Sequence, residues 1–322
     1  KPSHYSDTSA HLCLMLRKAL DRNTPLGLVL MALMVVGVGV LHYGQHNAVV
    51  VGNAWYACGS LWQPLAAVAA HLALIISIRI LATSYDLADG NLVTFIAACL
   101  SLLVLRNDCA LIPAVVAPLA VGLCASMYAT YGVSAVGAAL FHVGVGAGIL
   151  LLGERWGILI MPWLMVSLWV IRPFNLREMG VLLSGAMLPL IVWFTYILLS
   201  GAPVAESIHG LGRMTTHLSD LGIDRSHYLA LGLGALAVAG AVINSGTGPV
   251  RQRTFISVLL LLLVVAVPMF IVMRGRSVLV APVLAVPLAI VYARLVKGVS
   301  NPWLADALLV LLALVALMPQ LS

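Results

Sequence analysis

Apolar runs of about 15 to 24 residues, separated by short clusters of charge, follow one another along almost the whole chain. A helix that crosses a bilayer core of about 30 Å needs roughly 20 mostly apolar residues. The repeated run length therefore predicts an all-α fold, a polytopic transmembrane helical bundle. Composition closes the main alternatives: 62% of the 322 residues are hydrophobic and 9% are charged, where a soluble domain carries about 25% charged residues. A soluble enzyme is excluded on that ground. A membrane β-barrel would alternate apolar and polar residues in segments of about ten, whereas 259–267 reads LLLLLVVAV without a break.

The formal charge of +6 raises the question of nucleic acid. The bases are scattered among short loops and form no basic face with interleaved aromatics, so no nucleic-acid partner is expected. The five cysteines, Cys13, Cys58, Cys99, Cys109 and Cys124, show no CxxC spacing and lie in or beside apolar runs. They read as small apolar fillers and give neither a zinc site nor a disulfide framework.

Residues 1–24 lack the charged start, apolar middle and small-residue cleavage site of a signal peptide. Leu12, Met15, Leu16, Ala19 and Leu20 recur there at helical spacing beside Arg17, Lys18 and Arg22, as in a helix lying on the cytoplasmic membrane surface. Residues 25–322 then read as one transmembrane helical domain with about eleven spans, between ten and twelve. They are placed near 25–43, 63–82, 91–105, 110–130, 133–152, 156–171, 179–200, 227–245, 254–273, 278–296 and 302–319. The third is short, and were it re-entrant every later orientation would invert. Putting the N-terminus inside assigns eleven of the 17 basic residues to the inside and six to the outside, which is the sense of the positive-inside rule.

Functional chemistry is expected on the predicted outer face. The longest polar segment, the outer loop at about 201–226, contains Glu206, His209, Arg213, His217, Asp220, Asp224 and Arg225, with His227 just beyond. His209, Arg213 and His217 are four apart and would share one helical face. Arg offers a fixed fork of donors to a phosphate, and His titrates near neutral pH. A solvated loop helix that simply meets water is the competing reading. Arg106, Arg155, Arg274 and Arg276 fall in other outer turns, where arginines can clamp a diphosphate or form an ordinary charged collar. Within the spans, His71 and His142 read as hydrogen-bonded packing residues rather than proton relays, and Arg79 as a snorkelling anchor. The chain has no GxxxxGK[ST] loop, no HExxH helix and no GxSxG elbow, so no cofactor or metal is expected.

Residues 151–201 contain the sequence RPFNLRE, formed by Arg172, Pro173, Phe174, Asn175, Leu176, Arg177 and Glu178, followed by a helix with a central proline, Pro189. This stretch resembles a family of uncharacterised bacterial polytopic inner-membrane proteins that share an RPFNxRE cytoplasmic junction. The resemblance implies a multi-pass protein of the bacterial inner membrane and carries no activity. In it, Arg172 and Arg177 would fix orientation, while Pro173 and Asn175 would form a tight turn.

The layout of many spans and a late outer loop rich in Arg and His also resembles glycosyltransferases, polymerases and ligases that use polyprenyl-phosphate donors, the O-antigen polymerase and ligase type above all. That likeness implies action on a lipid-linked glycan at the outer face. Arg213, Arg274 and Arg276, with Arg106 and Arg155, would bind the diphosphate, and His209, His217 or Glu206 would serve as base. The first outer segment, GQHNAVVVGNAWYACGSLW, lacks the acid usual in the polyprenyl-sugar class. A transporter of lipids or small molecules built around His71, His142 and the glycine-rich spans, and a non-catalytic scaffold docking a protein partner in an envelope complex, remain open beside it. Membrane lipids are expected partners in every case.

Overall fold

The computed structural model describes residues 62–104, 111–153, 155–201, 249–272 and 280–321, with isolated positions between 232 and 240. Among them every regular element is helical. In chain order these are α1 (Trp62–Ser84), α2 (Gly90–Val104), α3 (Leu111–Ala129), α4 (Gly137–Gly153), a 3-10 turn (Arg155–Leu159), α5 (Ile160–Ile171), α6 (Leu176–Ser200), α7 (Val250–Val272), α8 (Val280–Gly298) and α9 (Pro302–Leu321). The all-α expectation is met, and the helices fall on the apolar runs read from the sequence.

Crossing length is a different matter. Against the expected eleven spans, two of the described helical stretches, Leu176–Ser200 and Val250–Phe270, are long and apolar enough to cross a membrane. The 25 residues of α6 extend about 37 Å at 1.5 Å per residue. Shorter apolar stretches, such as Gly90–Leu103 and Gly137–Leu152, have 10–17 residues, which is about 15 to 26 Å and short of the roughly 30 Å core. The expected spans at 25–43 and most of 227–245, with the N-terminal segment 1–24, lie outside the described residues.

The chain divides into two compact units. One comprises Lys1–Val115, Asp224–Gly248 and Leu288–Ser322, the other Val116–Ile223 and Pro249–Pro287. In the first, α1 and α2 form an antiparallel hairpin turned at 85–89, where Asp86 takes a left-handed φ of 50°. Helix α8 ends against that turn: Lys297 Nζ lies 2.9 Å from the Asp89 carboxylate, and Arg294 donates to the Leu87 carbonyl at 3.4 Å.

The second unit is an up-and-down arrangement whose directions follow from its contacts. A Cβ on Gly144 would meet Leu182 and Ala186, and one on Gly148 would meet Ala186 and Pro189. Positions along α4 and α6 thus rise together, and the two helices run parallel. Helix α5 runs the opposite way: Gly157 packs on Leu150 at the far end of α4, while Arg172, just past α5, reaches the turn before α4. Helix α7 runs with α4 and α6, since Phe255 near its start stacks on Tyr128 at the end of α3, with ring centroids 4.2 Å apart, and Trp163 donates to the Val258 carbonyl at 3.1 Å.

Close approach in this unit depends on missing side chains. Gly144 and Gly148 form a GxxxG pair on α4, and Gly185 and Ala186 face them from α6. A Cβ on Gly144 would lie 2.9 Å from the Ala186 nitrogen, and one on Gly148 3.0 Å from the Pro189 ring. Backbone contact of this kind gives close van der Waals attraction between the two helices.

Candidate functional site

Two ends of the second unit can be told apart by what leaves them. At one end are the 130–136 turn, the junction 172–175 and the start of α7. At the other, α4 ends at Gly153 and the 3-10 turn begins at Arg155, α6 ends at Gly201, and α7 ends at Val272. Three of the segments singled out in the sequence therefore depart from one end: Arg155, the 201–226 loop, and the turn bearing Arg274 and Arg276. The end of α6 is set by Gly201 in the left-handed region, φ 65°, a conformation that favours glycine.

Glu206, His209, Arg213 and His217, with Arg274 and Arg276, lie outside the described residues, as does Arg106, which follows α2 of the first unit. Arg155 is described in its backbone alone, as the first residue of the 3-10 turn.

The opposite end is built around Arg172. Its guanidinium donates to the Thr130 carbonyl at 2.9 Å and to the Val133 carbonyl, and it pairs with Glu178 at 3.2 Å, both side chains being 16% exposed. Local sequence explains the shape. Pro173 forces the residue before it out of the helical region, and Arg172 is extended at φ −138°, ψ 154°. Asn175 caps α6, its Oδ1 accepting from the Arg177 N–H at 3.0 Å, a side chain favoured at this position. Glu178, the third residue of the helix, would close a capping box but is drawn to Arg172 instead. The junction, expected as a tight turn with orienting arginines, forms a clamp that ties α6 to the α3–α4 turn. Such a contact, across some forty residues, leaves no periodic trace in a sequence.

Within the first unit, His71 is buried and its Nδ1 lies 3.1 Å from Ser101 Oγ, across α1 and α2. Ser101 also donates to the Ala98 carbonyl at 2.8 Å, so His71 is held in a packed polar pair. Asn91, Thr94 and Asp306 are buried in the same unit. His142 of α4, by contrast, is exposed on the helix exterior, which departs from an inward-facing role. Cys99 and Cys124 are buried and unbridged. Among the described residues no three His, Cys, Asp or Glu side chains gather as a metal requires.

Against known proteins, the chain matches no family model, no curated protein and no solved structure.

Proposed function

We propose that this chain is a multi-pass protein of the bacterial inner membrane, with about eleven spans and its N-terminus inside, that acts on a polyprenyl-phosphate-linked glycan at the outer face. The observation that carries the membrane reading is the inverted character of α6. Only 22% of its apolar window is buried. The buried positions are Leu182, Gly185, Ala186 and Ile197, while Met187, Ile191, Val192, Phe194 and Leu199 are exposed. So many large apolar side chains turned outward suit a helix solvated by lipid tails, with Gly185 and Ala186 at the helix contact, and an apolar outer face of this extent is foreign to a water-soluble monomer. Shorter helices reach across as a packed group, with local thinning of the bilayer.

The proposed orientation rests on the whole-chain count of eleven basic residues inside against six outside; in the second unit Arg172, Arg177, Arg251 and Arg253 stand at the end so placed in the cytoplasm. The segments bearing Arg155, the 201–226 loop, Arg274 and Arg276 leave from the other. In the proposed reaction the acceptor hydroxyl gives its proton to His209, His217 or Glu206, and its oxygen bonds to the anomeric carbon. The bond from that carbon to the diphosphate oxygen breaks, and Arg213, Arg274 and Arg276 take up the charge left on the polyprenyl diphosphate.

Gly144, Gly148 and Gly185 face backbone rather than a cavity, and His142 faces outward, which works against a transporter built on those residues. The test is functional: Arg213→Ala, Arg276→Ala and His217→Ala should each abolish the glycan product with the protein still present in the membrane at normal amount. Unaltered glycan profiles in all three would overturn the enzymatic reading.

A further inference from the structure

We infer that the Arg172 end of the second unit is a seat for the headgroups of anionic phospholipids; this rests on the membrane reading above. Three segments distant in sequence converge there. The 130–133 turn receives Arg172 from the junction, and Tyr131 meets Phe255 of α7 edge-on at 5.6 Å between ring centroids. Arg251 in turn lies over the Phe255 ring, 5.4 Å from its centre.

Positive charge at this end exceeds the negative charge of the described residues of the unit. Glu178 is the one acid among the described residues of the second unit, and it is committed to Arg172. Arg177 and Arg251 are exposed and make no ion pair among the described residues. Arg253 is exposed on the same first turn as Arg251.

Apolar rings adjoin these charges. Trp169 and Phe174, 60% and 51% exposed, lie 5.5 Å apart, and Leu176 next to them begins the apolar exterior of α6. Aromatic side chains of this kind settle at the headgroup level of a bilayer, and juxtamembrane arginines attract anionic lipid. A free phosphate would engage the guanidinium groups and leave the rings and the aliphatic face unused. An anionic phospholipid uses all three, its phosphate at the arginines and its chains along α6.

The test titrates the full-length protein, purified in neutral detergent, with phosphatidylglycerol and with phosphatidylcholine, reading bound lipid by native mass spectrometry. Each arginine near the surface is worth about fivefold in binding, so R177Q/R251Q should bind phosphatidylglycerol about 25-fold more weakly. R177K/R251K, which keeps the charge, should stay within about threefold of wild type, and phosphatidylcholine binding should not change. Equal wild-type affinity for the two lipids, or a Gln variant that holds phosphatidylglycerol as wild type does, overturns the inference. Alkaline carbonate extraction separates this from the underlying reading. A wild-type chain released by carbonate contradicts membrane insertion itself, whereas a chain retained in the membrane with unchanged lipid affinity removes the headgroup seat alone.

Discussion

In the second unit α4 and α6 touch backbone to backbone through Gly144, Gly148 and Gly185, and charge is confined to the ends. In the first unit the helices are joined by polar side chains: His71 to Ser101 across α1 and α2, Tyr292 to the Leu308 carbonyl at 2.8 Å across α8 and α9, and Lys297 to Asp89 at the rim. In the proposed lipid surroundings both solutions hold helices together, by van der Waals fit between α4 and α6 and by directed hydrogen bonds across α1 and α2 and across α8 and α9; the second unit adds the Trp163 bond to Val258 across α5 and α7. They differ in what they tolerate. Glycine contact is intolerant of added volume, whereas an interhelical hydrogen bond can be lost at modest cost.

The largest expected effect is accordingly Gly148→Leu, with Gly144→Leu close behind. A side chain there must displace the backbone of α6, and overpacking against unyielding neighbours costs about 3 kcal/mol. Thermal unfolding in detergent should show the loss, and a stable variant would break the claim that α4 and α6 meet through these glycines. Next comes Arg172→Ala, which strands Glu178 and two turn carbonyls in a part-buried site at a cost of about 2 kcal/mol. Arg177→Ala, adjacent to Glu178 in sequence but outside the clamp, should leave stability unchanged in the same assay.

Effects in the first unit should be smaller. His71→Leu keeps most of the volume and removes one interhelical hydrogen bond, worth about 0.6 kcal/mol in membrane proteins. Asp89→Asn loosens an ion pair in which Lys297 is 58% exposed, and exposed pairs contribute between about 0 and 1 kcal/mol. A loss above about 2 kcal/mol at either site would erase the contrast between the units.

Helix positions were legible in the sequence because apolar runs end where charge, glycine or proline intervenes; the run expected at 156–171 is the 3-10 turn plus α5. Crossing length was less so. Counting apolar runs does not register that Gly137–Leu152 or Gly157–Ile171 is too short to span a core of standard thickness. Gly144 and Gly148 have the spacing of a close-packed face, but their partners Gly185 and Ala186 lie some forty residues on and emerge only when the helices are seen to run parallel. Arg172 was visible as a charge at a span end, not as the donor to Thr130 and Val133. For the proposed outer site, the sequence supplied residue types, and the fold adds that Arg155, Gly201 and Val272 stand at one end of the second unit.

The central claim is that this unit spans a membrane with its Arg172 end in the cytoplasm. Single cysteines at Phe174→Cys and Ser200→Cys, both exposed positions, should be introduced after the five native cysteines are replaced by alanine. They would then be labelled with a membrane-impermeant maleimide in intact cells and in inverted vesicles. The cysteine at 174 should react only in inverted vesicles and the one at 200 only in intact cells. Labelling of both from the same side would contradict the account.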